Sequence, residues 1–338
     1  MNKFTIIVIT LFCSFIIKAQ DKKFTVAFYN VENLFDTIND PIKNDDDFTP
    51  EGKLMWNSNR YLSKTINTAK VIMAIGNGEA PSIIGLCEVE NREVLEYMIR
   101  ITPLNKLKYA VIHEESPDNR GIDVAMLYRK DLFKPLEHKT IAIDLKPDTI
   151  KTRDILYVKG ILDSDDTLHI FINHWPSRIG GEIQSEFKRI NAAKTLRNEI
   201  DSILKIDSLA KIIIMGDFND YPINKSLEEV LLAKKDTSEI KEKELFNMLY
   251  LKHIKGEGSH YYNGHWGMLD QIIISKSLLK CEKKKACTLQ GRANVFNPDW
   301  IMFINKNGEK IPNRTYVGNS YKGGYSDHLP VYFYLFKN

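Results

Sequence analysis

Several hydrophobic runs in this 338-residue chain end on side chains that can move protons or hold cations. Phe24–Tyr29 leads into Asn30, Glu32 and Asn33, and Ile83–Cys87 leads into Glu88, Glu90 and Asn91. Ile170–Ile172 leads into Asn173 and His174, with Arg178 just beyond a Trp-Pro step. The stretch IIIMGDFND carries Asp217, Asn219 and Asp220 past Gly216; Leu269 is followed at once by Asp270; the closing run Val331–Phe336 is preceded by Ser326, Asp327 and His328. Each has an ordinary reading alone: a turn bonding its own backbone at GDFND, a cap at Asn30, a strand-end carboxylate facing water at Glu88. Their recurrence at corresponding strand ends argues for one shared site. Glu88, Asp327 and the amide oxygen of Asn30 are hard oxygen donors of the kind that suits Mg²⁺, and the absence of thiolate from the set argues against zinc. His174 and His328, with carboxylates near, suit phosphate ester cleavage, one imidazole deprotonating water and the other protonating or steadying the leaving oxygen.

Such a site needs a rigid frame. Strands are predicted at Phe24–Val31, Ser82–Val89, Val124–Arg129, Ile155–Leu162, Leu168–Trp175, Lys211–Phe218, Leu269–Ser275 and Val331–Phe336. Lys211–Met215 is continuously aliphatic, as in a strand covered on both faces. Two amphipathic helices are predicted: Arg60–Ile75, with Leu62, Ile66, Ala69 and Met73 as its stripe, and Glu182–Leu204, with Ile183, Phe187, Ile190, Ala193, Leu196, Ile200 and Leu204. Asn297–Phe303, NPDWIMF, is the nearest approach to an apolar membrane-contacting hairpin and reads first as a core strand. With no repeat and no Pro-, Gly- or Ser-rich linker, residues from about Lys22 to the end form one α/β domain of two packed sheets flanked by helices.

Composition excludes other classes. At 43% hydrophobic and 27% charged residues it is an ordinary globular chain. Met1–Gln20, with Lys3, an apolar run from Phe4 to Ile17 and Ala19 near the expected cleavage point, reads as a signal peptide, and the mature protein as secreted or periplasmic. Phe12 before Cys13 argues against a lipoprotein, and no later run is long enough for a membrane anchor. Without Lys3 and Lys18, 45 basic residues face 44 acidic ones, a balance of +1 from the full chain's +3, so any affinity for phosphate must be local. Cys281 and Cys287 form either a small disulfide loop or two free thiols, and Cys87 packs as a small apolar side chain. Lys280–Lys285, KCEKKK, reads as a solvated charged hairpin or as a contact for a polyanion beside the site.

The ordered set FYNVEN, GLCEVEN, RGIDVAMLYR, INHWPSR, IIIMGDFND, LDQIII and YSDHLPV, from about Phe24 to Phe336, resembles the endonuclease/exonuclease/phosphatase superfamily. The resemblance implies a four-layered α/β sandwich with two packed central β-sheets and one metal-dependent site at their edge. It makes Glu88 the principal Mg²⁺ ligand (Mn²⁺ is the alternative), with Asn30 beside it and Asp327 a further metal- or phosphate-side group. Asp217 and Asn219 would orient the attacking water and the scissile phosphate. His328 would be the general base held by Asp270, and His174 the acid or transition-state stabiliser; Asp123 in RGIDVAMLYR is read either as the partner of His174 or as a polar strand-start residue paired with Arg120. Arg178 is read either as a phosphate contact through its forked guanidinium or as a solvent-exposed arginine, and Asn173 as a substrate contact. The implied substrate is a phosphodiester, first a nucleic acid and second a phospholipid or inositol phosphate. No stable protein partner is implied. A catalytically dead binding module is disfavoured because every expected acid, amide and imidazole is present.

Overall fold

Side chains along a strand alternate between its two faces, and in the computed structural model, which describes residues 22–163, 166–237, 240–283, 285–288 and 292–337, that alternation builds separate cores. The predicted signal peptide lies outside the described residues. In β1 (Lys22–Leu34), Val26 and Phe28 point to one side and Ala27 and Tyr29 to the other. In β2 (Ile83–Val89), Ile83 and Cys87 join the first pair and Ile84 and Leu86 the second. Both strands lie in one sheet with β3 (Tyr109–His113), β4 (Asp123–Arg129), β14 (Ala286–Cys287), β15 (Asn294–Val295) and β18 (Val331–Lys337), in the order β14-β18-β1-β2-β4-β3 with β15 also on β18.

A second sheet has the order β5-β6-β7-β8-β13-β10-β9. Its strands are β5 (Phe133–Ile141), β6 (Ile155–Leu162), β7 (Asp166–His174), β8 (Lys211–Asp217), β9 (Ala233–Lys234), β10 (Leu245–Asn247) and β13 (Asp270–Ser275). Val26, Phe28, Ile83 and Met126 of the first sheet pack against Ile170, Ile172, Ile213, Met215 and Ile272 of the second. The outer face of the first sheet is covered by α1 (Ser58–Ala74) and α2 (Arg92–Ile101), and that of the second by α3 (Glu182–Ile206). Helix, sheet, sheet and helix are the four layers expected. The eight predicted strands are all present; among the strands not predicted, β3 is short and β5 is an edge strand with an exposed, Pro135-containing sequence.

Three expectations are corrected. α1 buries Lys64, Thr65, Thr68, Ala69, Val71 and Ile72, while Leu62 and Ile66 face solvent. The helix is turned about its axis so that small and hydroxyl side chains approach the sheet, and Lys64 is drawn inward by hydrogen bonds to Thr315 Oγ1 (2.7 Å) and the Tyr325 carbonyl (2.6 Å). α3 follows its predicted stripe only from Ala193 onward; Ile183 is exposed and Arg189 is fully buried on Asp220. Asn297–Phe303 is not a core strand: a short turn precedes a surface hairpin, β16 (Met302–Ile304) with β17 (Lys310–Pro312), on which Phe303 and Ile304 are exposed. Cys281 and Cys287 are disulfide-bonded, and Lys285 lies 3.6 Å from Asp166 at the start of β7. The candidate site lies at the other end of that strand, so at ~3.3 Å per residue the lysine cluster is roughly 25 Å from it and cannot flank it.

Candidate active site

Strand register gathers the site. His174 pairs with Asp217 across β7 and β8, and Asp217 pairs with Asp270 across β8 and β13, so three adjacent strands of the second sheet end on an imidazole and two carboxylates. Gly216 permits this. A Cβ there would lie 2.5 Å from the Asn173 carbonyl oxygen and 2.6 Å from the Asn173 Cβ, so only glycine lets β8 run this close to β7 before the Asp217 turn. On the facing sheet β1 and β2 are irregular after Asn30 and Cys87, and Glu32, Asn33 and Glu88 adopt positive φ of 52°, 55° and 60°. Bulges of this kind re-aim side chains at a sheet end, and non-glycine residues held left-handed are concentrated at functional sites.

Asn30 joins the two sheets. Its Nδ2 donates to Glu88 Oε1 at 3.3 Å and to Asp217 Oδ2 at 3.1 Å, while its Oδ1 accepts from the Glu32 N–H at 3.0 Å. The expectation that the amide oxygen ligates a cation is therefore corrected: an N–H donor faces the carboxylates. Glu88 Oε2 accepts from the Asn33 N–H at 3.1 Å, and His174 Nε2 lies 3.9 Å from Glu88 Oε1 and 3.8 Å from Asp217 Oδ2.

His328 and Asp270, 58 residues apart, form the tightest contact of the predicted set, His328 Nδ1 to Asp270 Oδ2 at 2.7 Å. Ser259, which the sequence does not single out, donates to the same oxygen at 2.5 Å and accepts from the Asp270 N–H at 3.1 Å. The other ring nitrogen of His328, Nε2, is 3.8 Å from Asp217 Oδ2. Burial opposes the imidazolium, but Asp270 and Asp217 outweigh it and hold the His328 pKa well above its ordinary value. Burial pushes the Asp217 carboxyl up to about 6. The His174 pKa is held well below normal by burial and then by the Arg153 and Arg120 guanidinia. Asp327 is lowered despite its burial, which would raise it, by His328 and by Arg314, whose Nη2 donates to Asp327 Oδ2 at 2.7 Å. His260 of β11 (His260–Tyr262), which pairs with β12 (His265–Gly267), bridges to His328 and packs its ring 4.5 Å from it.

Three further expectations are corrected. Asp123 accepts from the Ser116 N–H at 2.9 Å and lies 3.2 Å from His113 Nε2, so its partner is His113 and not His174. Among the described residues His174 Nδ1 is buried without a hydrogen-bond partner. Arg178 spends its guanidinium on the Asn219 carbonyl (2.8 Å), Asp220 (3.2 Å), Asn224 (3.1 Å) and Glu182 (3.0 Å). It shapes the GDFND turn from behind. Asn173 is fully buried, donating to the Met215 carbonyl and accepting from Trp175 Nε1. Asn219 remains at the site edge, its N–H on Asp217 Oδ1 (2.9 Å) and its Nδ2 on the Trp175 carbonyl (2.9 Å). GDFND is thus both a self-bonded turn and the mount of Asp217.

Two groups of acidic and histidine side chains at the site could hold a metal ion. Ligand atoms of Asp217, Asp270 and His328, and of His260, Asp327 and His328, lie within 4.8 Å of one another, and Asp270 Oδ1 is buried with no partner among the described residues. Carboxylates packed this closely need compensating charge.

Comparison with known proteins agrees with this architecture. The profile of the Endonuclease/Exonuclease/phosphatase family matches residues 25–337, and the chain belongs to that family. Its members hydrolyse phosphoesters with a divalent metal. Similar solved structures include a humanised D. rerio TDP2 (15% identity, TM-score 0.56, covering 93% of this chain and 98% of that one). A mannosyl-6-phosphatase of Bacteroides thetaiotaomicron (16%, 0.57, 92% and 99%) and the human Nocturnin catalytic domain with bound sulfate (18%, 0.54, 93% and 97%) are also similar. At these identities the likeness is one of fold. No curated protein matches the sequence.

Proposed function

We propose that the chain is an exported, Mg²⁺-dependent phosphodiesterase that cleaves DNA or RNA by attack of water on phosphorus. The observation that carries this reading is His328, anchored on Asp270 at 2.7 Å by one ring nitrogen while the other faces Asp217 at 3.8 Å, with Glu88 and His174 across the same cleft. His328 takes the proton of the attacking water, and the Asp270 carboxylate steadies the imidazolium so formed. Asp217 and Asn219 hold the water in line with the phosphate, a positional contribution from residues on rigid strand ends. His174, neutral because of its burial, donates a hydrogen bond from Nε2 to a phosphate oxygen. Glu88 and Asp327 are the ligands for the cation, which when bound neutralises charge on the phosphate oxygens; Mn²⁺ would serve the same donor set.

Export is supported by the Cys281–Cys287 disulfide, which suits an oxidising compartment. No helix among the described residues is long and apolar enough to cross a membrane. Nucleic acid is supported by one similar structure, D. rerio TDP2, which was solved with a single-strand DNA product. One observation favours a second reading, a phospholipid or inositol phosphate: β17 contacts β11, whose His260 bridges to His328, so exposed Phe303 and Ile304 sit on a hairpin at the rim. Purified mature protein, with Mg²⁺ or EDTA, should be assayed on plasmid, single-stranded DNA, RNA, sphingomyelin, inositol polyphosphate and a chromogenic diester beside His328→Ala. Metal-dependent cleavage of nucleic acid by wild type alone is the expected result; release of phosphocholine or inorganic phosphate alone moves the assignment to the second reading, and no metal-dependent hydrolysis overturns both.

A further inference from the structure

A third group of metal-ligating side chains, His113, Glu115 and Asp123, lies outside the candidate active site and shares no residue with the two groups around His328. Strand pairing assembles it. β3 and β4 are antiparallel with His113 opposite Ala125, so Asp123, two residues on, is a diagonal neighbour of His113 on the same face. Glu115 follows His113 by two residues in the loop that returns to β4. One ligand atom from each of the three lies within 4.8 Å of those of the other two. His113 and Asp123 are buried, at 5% and 1% exposure, while Glu115 is exposed and lines a cavity of about 220 Å³.

The buried pair is spaced as two ligands of one ion. His113 Nε2 and Asp123 Oδ2 are 3.2 Å apart, against 2.7 Å for His328 and Asp270. A charge-assisted hydrogen bond is ordinarily about 2.7–2.9 Å long, whereas two atoms bound at about 2.0–2.2 Å to one tetrahedral ion lie ~3.3–3.5 Å from each other. Asp123 Oδ1 accepts from the Ser116 N–H at 2.9 Å, which holds the carboxylate with Oδ2 toward His113, as outer hydrogen bonds hold ligating carboxylates. Two carboxylates this close to each other need positive charge between them. Among the described residues no lysine or arginine forms an ion pair with Glu115 or Asp123. Lys43 lines the same cavity, but its Nζ is committed to the Ser116 carbonyl at 2.9 Å and the Asp118 carbonyl at 3.1 Å.

We propose that His113 Nε2, Asp123 Oδ2 and a carboxylate oxygen of Glu115 bind a zinc ion distinct from the cation of the candidate active site, with water from the cavity in the fourth position. The ion takes the place of the proton that His113 and Asp123 would otherwise share. An imidazole nitrogen joined to carboxylates suits Zn²⁺, whereas Ca²⁺ and Mg²⁺ take oxygen ligands. Three protein ligands completed by water make a tetrahedral zinc site. The bound ion closes the loop between β3 and β4. In that loop Asp118 Oδ2 accepts from Arg153 Nη1 at 3.0 Å, and Arg153 Nη2 donates to the Trp175 carbonyl at 2.7 Å, so the brace reaches the residue next to His174. The site is independent of the reaction proposed above.

The test is zinc binding to the EDTA-treated mature protein, by equilibrium dialysis and by the shift in melting temperature, in excess Mg²⁺ and in a His328→Ala background, which removes the histidine shared by the other two groups. That chain should bind one Zn²⁺ and melt higher with it. Within the same background His113→Ala and Asp123→Asn should each weaken the apparent Kd by about a hundredfold or more, beyond the roughly 10- to 100-fold that loss of an outer hydrogen bond costs. Glu115→Gln changes an exposed side chain; it should weaken the Kd by about tenfold or more yet melt like its parent without zinc, which separates lost binding from failed folding. No zinc bound by the His328→Ala chain, or an unchanged Kd in any of the three variants, would overturn the proposal.

Discussion

Replacing Asp270 with asparagine preserves the shape of the side chain that holds His328 and removes its charge. The wild-type carboxylate meets His328 Nδ1 at 2.7 Å and Ser259 Oγ at 2.5 Å, in a fully buried position, and it is the first of the charges that raise the His328 pKa. A hydrogen bond to a charged group contributes about 1.5–3 kcal/mol, and at about 1.36 kcal/mol per decade its loss lowers kcat/KM about 10- to 150-fold. The direction of the pH effect is also set. With Asp270 neutral the imidazolium is less favoured, so the His328 pKa falls and the acid limb of the kcat/KM profile moves to lower pH, by about one unit for each 1.36 kcal/mol. The assay is the pH dependence of kcat/KM for a chromogenic phosphodiester in saturating Mg²⁺, which reports ionisations of the free enzyme. Ser259→Ala should move the limb the same way by less. An Asp270→Asn profile that overlays wild type, with rates within about twofold, would refute the assignment of His328 as the base.

Other consequences follow from the same geometry. Gly216→Ala places a methyl against the Asn173 backbone at 2.5 Å, where nothing flexible can give way, and should cost about 1–3 kcal/mol in urea unfolding; a loss under about 0.5 kcal/mol would show that β7 and β8 are not so tightly apposed. Lys64→Met removes the buried ammonium 3.9 Å from Glu32 and should destabilise by about 3–5 kcal/mol, with Glu32→Gln restoring part of the loss; additive effects of the two changes would argue against the pair. Asp217, whose carboxyl is raised to about 6 by burial, favours the fold most below the unfolded carboxylate's pKa of 3.8 and loses that contribution as pH rises through 6. In EDTA, therefore, Asp217→Asn should gain on wild type in melting temperature between about pH 4 and 7, and a constant difference across that window would contradict the shift.

Much of this architecture was legible from residue pattern. Aliphatic runs such as Lys211–Met215 identify covered strands because only a two-sided apolar environment tolerates them, and the pairing of His328 with Asp270, 58 residues apart, followed from motif resemblance and is present at 2.7 Å. The orientation of polar atoms was not legible. Whether Asn30 offers its oxygen or its amide depends on the bulge after Asn30, which turns Glu32 N–H onto Oδ1. Asp123 stands beside His113 because β3 and β4 pair in a register that aligns His113 with Ala125, two residues on, and no local signal announces that. Arg178 has the chemistry of a phosphate contact, yet four internal acceptors claim it. Ser259 precedes a hairpin with no strong periodicity and reaches Asp270 only through tertiary packing. The faces of α1 were misjudged because Leu62 and Ile66 satisfy helical spacing while the sheet accepts Thr65, Thr68 and Ala69, whose small side chains allow closer approach.

The central claim is that these strand ends meet around one cation and direct water at phosphorus. Hydrolysis of a chromogenic phosphodiester in ¹⁸O-labelled water tests it most directly, with product read by mass spectrometry for wild type, Glu88→Gln and His328→Ala, each in Mg²⁺ and in EDTA. The account predicts one labelled oxygen on the phosphate product for wild type in Mg²⁺, and at most trace product in EDTA or from either variant. Label appearing in the alcohol, or equal turnover by Glu88→Gln in EDTA, would contradict it.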